Sequence, residues 1–135
     1  MKNKYFFAPL MASAVVLLGA CTPPSEPTET LEERVMARWQ LMVEREFEAA
    51  WDYYTPGFRQ TTSRELFAAD MERRPVHWTA AELVGTDCGE DVCQVKVRVE
   101  YRVVGAPRGH GRMRLNRTIE DQWVFLDGQW WYSAN

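Results

Sequence analysis

Between residues 95 and 102 the chain alternates without a fault: Val95, Val97, Val99 and Tyr101 are separated by Lys96, Arg98, Glu100 and Arg102. Successive side chains of a strand point to opposite faces, so this run is an antiparallel strand with one face buried and one in water. A sheet with one apolar face needs a cover, and the material for it lies upstream. Thr30-Leu31-Glu32-Glu33 has the pattern of a capping box, with Thr30 capping the first turn and Glu33 reaching back. From there Leu31, Val35, Trp39, Met42, Phe47, Ala50 and Tyr54 recur at steps of three to five, one face of a helix. The five-residue step across Glu44-Arg45-Glu46 predicts a bend or break, and Pro56-Gly57 ends the run. Ser63 caps a further helix over Arg64–Arg73, with Leu66, Phe67 and Met71 as its apolar side and Pro75 closing it.

Everything after Val76 reads as strand. Trp78 to Thr86 leads into a turn at Gly89-Glu90-Asp91-Val92, between Cys88 and Cys93. Gly105 to Gly111 is a glycine- and proline-bearing loop, Arg112 to Leu126 a long strand, and Asp127-Gly128 a hairpin turn returning along Gln129 to Ser133. Helices first and a meander of strands afterwards is an α+β plan.

The N-terminus carries a different signal. Lys2 and Lys4 precede Tyr5 to Ala20, 16 residues without a charge, and then comes Cys21. That stretch is shorter than the roughly 20 residues a membrane-crossing helix needs. A basic start, a short apolar run and small residues at its end are the layout of a secretory signal peptide. Leu17-Leu18-Gly19-Ala20-Cys21 resembles the lipobox of bacterial lipoproteins. The resemblance implies that residues 1–20 are removed and that Cys21 carries the lipid, several acyl chains that anchor the protein to a membrane. Thr22, rather than an aspartate, resembles the sorting signal for the outer membrane, facing the periplasm. Against this stand a simple signal peptide cut near Ala20, leaving a free thiol, and an uncleaved anchor. Residues 21–29, with Pro23, Pro24 and Pro27, have nothing to bury and read as an extended tether. Residues 30–135 are then the folded domain.

The envelope setting bears on the other two cysteines. Two nearby cysteines in a secreted protein are expected as a disulfide, here Cys88 with Cys93. A redox-active pair has the tighter C-x-x-C spacing, and a metal site needs about four ligands where the chain offers only His77 and His110 besides. No metal and no cofactor is therefore expected.

The formal charge is −3, and from Cys21 onward there are 14 basic against 19 acidic groups. That excludes a strongly basic nucleic-acid binder and a polybasic lipid-binding patch beside the anchor. The basic residues cluster, with seven between Lys96 and Arg117 against the single acid Glu100. Such a face suits an acidic partner or is simply a solvated surface.

Trp39 to Pro56, in particular Phe47-Glu48-Ala49-Ala50-Trp51-Asp52-Tyr53-Tyr54-Thr55-Pro56, resembles the helical opening of NTF2-like (SnoaL-like) domains. Trp123-Val124-Phe125-Leu126-Asp127-Gly128-Gln129-Trp130-Trp131 resembles their final hairpin. The likeness implies a cone, with N-terminal helices packed into the concave face of a strongly curved antiparallel sheet, often around a pocket. The glycine-aspartate usual at the helix break is replaced here by Glu44-Arg45-Glu46.

Helical Trp39, Trp51, Tyr54 and Phe58 and strand-borne Trp78, Tyr101, Trp123 and Trp131 would face such a concavity. They either fill it as core or line a pocket for a small apolar ligand. Met113, Leu115, Ile119, Trp123 and Phe125 share a strand face with Arg117 and Asp121, which must then be paired, solvated or pocket-lining. A β-bulge near Glu120 is the alternative that would release Asp121 to water. Two functions follow. One is a non-catalytic lipid-anchored envelope protein binding a small apolar ligand or a partner protein, with a homodimer through the sheet as a further assembly. The alternative is an isomerase, dehydratase or cyclase with Asp121 or His77 as base and Tyr101 as donor. No Ser-His-Asp, phosphate-loop or zinc-hydrolase pattern is present.

Overall fold

The structure, a computed structural model, describes residues 29–105, 107 and 113–134. The segment expected to be a signal peptide, Cys21, the expected tether up to residue 28 and most of the 105–111 loop lie outside these residues. Among the described residues no helix is long and apolar enough to cross a membrane.

Helix α1 spans Leu31–Glu44 and opens on the expected capping box. Glu33 N–H donates to the Thr30 hydroxyl at 3.2 Å, and Thr30 N–H donates to Glu33 Oε2 at 2.8 Å. The break falls where the five-residue step placed it. Arg45 adopts φ 63°, and Glu46 N–H reaches back to the Leu41 carbonyl at 2.9 Å, a Schellman ending. A left-handed conformation costs a non-glycine residue about 1 kcal/mol. Arg45 offsets this by pairing with Glu72 and stacking over the Phe47 ring.

Helix α2 is a single turn, Phe47–Ala50, running into a 3₁₀ turn at Trp51–Tyr53. Pro56-Gly57 does not end the helical region, contrary to expectation. It begins α3, Pro56–Thr61, because Thr55 caps the helix and proline at the first position forfeits no hydrogen bond. Helix α4, Arg64–Arg73, is capped by Ser63, whose hydroxyl accepts from Leu66 N–H. Phe67 and Met71 turn inward, whereas Leu66, assigned to the same apolar side, is 57% exposed.

Strands β1 (Val76–Cys88), β2 (Val92–Val103), β3 (Leu115–Leu126) and β4 (Gln129–Ser133) form one antiparallel sheet in that order. β3 begins at Leu115 rather than Arg112, which itself lies outside the described residues. Register shifts occur in β1, between Trp78 and Ala80 and between Leu83 and Gly85. Each extra residue bends the strand and adds curvature. No bulge lies near Glu120: β2 and β3 stay in register from Val92 opposite Val124 to Tyr101 opposite Leu115. Asp127 (φ 52°) and Gly128 (φ 80°) are both left-handed, as a tight hairpin between twisted strands requires.

The helices lie on the sheet face carrying Cys93, Val95, Val97, Val99 and Trp123, all fully buried. At one end of this row Cys88 and Cys93 form the expected disulfide. Closing so short a loop contributes about 2 kcal/mol by chain entropy. The opposite face of the sheet is exposed and carries two cross-strand ion pairs, Lys96 3.7 Å from Glu120 and Arg98 3.2 Å from Glu82. Two members of the basic cluster are thus paired with acids from neighbouring strands.

Candidate functional site

Positions 31, 35, 38, 39 and 42 form the stripe of α1 that faces the sheet, so Arg38 is carried inward beside Trp39. Asp121 occupies an inward position of β3, two residues from Trp123. The two charges meet in the interior: Arg38 is 3% exposed and Asp121 2%. Arg38 Nη1 lies 3.5 Å from Asp121 Oδ2, and the Trp39 indole N–H donates to the same oxygen at 2.7 Å. Arg38 Nη2 donates to the Tyr54 hydroxyl at 3.0 Å, and the guanidinium sits 3.6 Å from the centre of the Tyr132 ring. Its Nε and Nη1 are buried and donate no hydrogen bond among the described residues.

These groups form the floor of an open cleft of about 620 Å³ between the helices and the sheet. Its walls are apolar, with Met42, Phe58, Phe67, Met71, Trp78 and Ile119. Its rim carries the exposed Asp70, Arg73 and Arg74 and the half-buried Thr62 on the helical side, and Ala134 beyond β4. A cleft of this size, with apolar walls and polar groups converging at its floor, has the build of a small-molecule site.

Burial pushes the Asp121 carboxyl above its ordinary value of 3.8, and Arg38 and the Trp39 N–H pull against that shift without reversing it. The folded chain therefore holds this proton more tightly than the unfolded one. The contribution of this group to stability is full in acid and declines as pH rises through the folded-state value. Burial works to lower the Arg38 value, but Tyr54, Asp121 and Tyr132 outweigh it, so the guanidinium stays charged. Burial also raises the Tyr132 phenol, against the pull of Arg38.

Of the residues singled out in the sequence, Trp39, Tyr54, Phe58, Trp78 and Asp121 line this cleft. The others are elsewhere. Trp123 is fully buried core. Trp51 donates to the Thr62 carbonyl and is stacked between Arg59 and Arg64. Trp131 donates to the Leu126 carbonyl and packs under Arg34 and Arg59. Tyr101 is half-buried opposite Leu115, and Arg117 stands exposed opposite Val99. His77 lies on β1 opposite Arg102, outside the cleft. Arg38 and Tyr132, central to the floor, were not anticipated. The helical stripe through Leu31, Val35 and Met42 already contained the signal for Arg38. Among the described residues no group of three His, Cys, Asp or Glu is arranged to hold a metal ion.

No protein-family model and no curated protein matches the chain. Solved structures do. A SEC-C motif containing protein from Rhodopseudomonas palustris matches with a TM-score of 0.59 at 16% identity, over 78% of this chain and 76% of that one. A protein from Campylobacter jejuni named as an NTF2-like transpeptidase matches with a TM-score of 0.52 at 9% identity, over 79% of this chain and 100% of that one. At these identities the likeness is one of fold alone. That fold is the NTF2-like α+β arrangement, helices packed against a curved four-stranded antiparallel sheet.

Proposed function

We propose that this is a lipid-anchored protein of the bacterial cell envelope, held by Cys21 at the outer membrane and facing the periplasm, whose NTF2-like domain binds a small ligand with an apolar body. The anchor rests on Leu18-Gly19-Ala20-Cys21 and the proline-bearing segment after it. A Cys21→Ser variant is expected to leave the membrane fraction and to lose incorporation of labelled fatty acid. Retention of both would end the lipoprotein reading.

The ligand reading is carried by one observation, the open cleft walled by Trp39, Phe67, Met71 and Trp78. A solid core would have supported neither size nor access. The uncharged dye N-phenyl-1-naphthylamine, which brightens in apolar surroundings, is the probe. The protein is expected to bind it, and Ile119→Trp, which fills the cleft wall, to weaken binding by about tenfold or more at an unchanged unfolding midpoint. Absence of dye binding by the unaltered protein would overturn the reading.

A partner-protein role finds less support, because two bases of the exposed sheet face, Lys96 and Arg98, are already paired across strands. Isomerase, dehydratase or cyclase chemistry needs an acid and a base converging on the ligand. Asp121 is in the cleft, but His77, the other candidate base, and Tyr101, the expected donor, are not.

A further inference from the structure

The rim of the cleft is not charge-neutral. Arg73 and Arg74, at the end of α4, share one carboxylate. Arg74 holds Asp70 through Nε and Nη2, at 3.3 and 2.9 Å. Arg73 is left 3.7 Å from the other oxygen, with 72% of its side chain exposed. The final turn of a helix contributes about half a negative elementary charge of its own. Two guanidiniums still outweigh one carboxylate and that half charge. Deeper in, Arg38 and Asp121 form their own pair 3.5 Å apart and add no net charge to the floor.

The apolar wall and the charged rim are continuous. Leu66 leads from the surface to Phe67 and Met71 on the same helix that ends in the two arginines. The exposure of Leu66, at odds with its place in the helical pattern, puts an aliphatic step at the entrance. We infer that the ligand is a single-chain anionic amphiphile, its aliphatic body against Phe67, Met71 and Trp78 and its carboxylate or phosphate head on Arg73 and Arg74. This rests on the cleft being a ligand site, as proposed above, and specifies which chemistry enters it. Both head groups accept charge-assisted hydrogen bonds from guanidinium, and Arg73 has donors free to make them.

Displacement of N-phenyl-1-naphthylamine from the full chain separates the two statements. Decanoate, decyl phosphate and decyltrimethylammonium, each below its micelle concentration, and decanol, below its solubility limit, share one chain length and differ in the head. The two anions are expected to displace the dye at about fivefold lower concentration than decanol, the range of an exposed ion pair, and the cation at higher concentration. A lead of one anion over the other assigns the head as carboxylate or phosphate. The preference is expected to vanish at about 1 M salt, where the screening length is about 3 Å. Arg73→Gln is expected to remove most of it. Equal displacement by decanoate, decyl phosphate and decanol, or a lead for the cation, would overturn the anionic head and leave the cleft as an apolar site. Failure of the dye itself to bind would remove the cleft reading and the head-group inference together.

Discussion

An Arg38→Met variant is expected to lose about 3–5 kcal/mol of folding stability at neutral pH, the cost of leaving a buried charge without its partner. For a domain of this size that is a fall of about 15 °C or more in Tm. Methionine keeps much of the aliphatic stem but removes the guanidinium that lies over the Tyr132 ring, so that contact is lost together with the charge. What remains is Asp121, 2% exposed, with only the Trp39 N–H among the described residues to stabilise it. A buried carboxylate in that position escapes by taking up a proton. Its pKa is already raised by burial, and removing the opposing pull of Arg38 raises it further. The folded variant then binds this proton over a wider pH range than the unaltered protein. The penalty is therefore smallest in acid, where Asp121 is neutral in both proteins, and grows as pH rises. Urea unfolding followed by tryptophan fluorescence at stepped pH reads both the size and the slope.

The second substitution decides the cause. Adding Asp121→Asn to Arg38→Met keeps an oxygen for the Trp39 indole and needs no counter-charge. This double variant is expected to recover most of the lost stability and to show no dependence on pH from this pair. A single-variant loss under about 1 kcal/mol would mean that water reaches Asp121 and that the ion pair is not closed. A double variant no better than the single one would place the cost in lost packing around Tyr54 and Tyr132.

Elements bounded by local chemistry were legible in the sequence. α4 starts at its serine cap, and β4 follows a turn whose two residues are the ones that tolerate a left-handed backbone. The break after Glu44 was also legible, although an arginine rather than a glycine takes the left-handed position. α3 was missed because proline and glycine together look like punctuation. Their meaning depends on position, and after a capping threonine Pro56 is a helix start.

The candidate site was half legible, for a related reason. Alternation along β3 predicts that Arg117 and Asp121 point the same way, and they do. It does not say how far the helices cover that face. Cover reaches Asp121 and not Arg117, so one is buried and the other stands in water. Leu66 shows the same limit on a helix. Periodicity fixes its side, while the neighbouring elements decide whether that side is closed. The partner of Asp121 comes from 83 residues earlier, and only tertiary packing brings the two together. His77 stays outside because β1 shifts register just after it, a bulge that no residue pattern announced.

Trp123→Ala is expected to cost about 3–5 kcal/mol, the usual loss for a large side chain removed from a closed core. The residue is fully buried, opposite Cys93 in the strand register and edge-on to Tyr132 at 5.9 Å. Its neighbours are held by a disulfide and by strand pairing on both sides, so little can relax into the gap. Trp123→Phe is expected to cost far less, under about 1.5 kcal/mol. Phenylalanine loses part of the ring volume, but it also sheds an indole N–H that is buried with no acceptor among the described residues. Leaving such a donor unsatisfied costs about 1–3 kcal/mol, which offsets the smaller ring. The ratio of the two losses therefore reports on the N–H itself. If phenylalanine costs as much as alanine, the indole has an acceptor, a buried water being the simplest. The inner row of β3 would then hold water at Trp123. If phenylalanine is nearly neutral, the core is dry up to Trp123, and polar contact inside the domain is confined to Arg38, Asp121 and the groups around them.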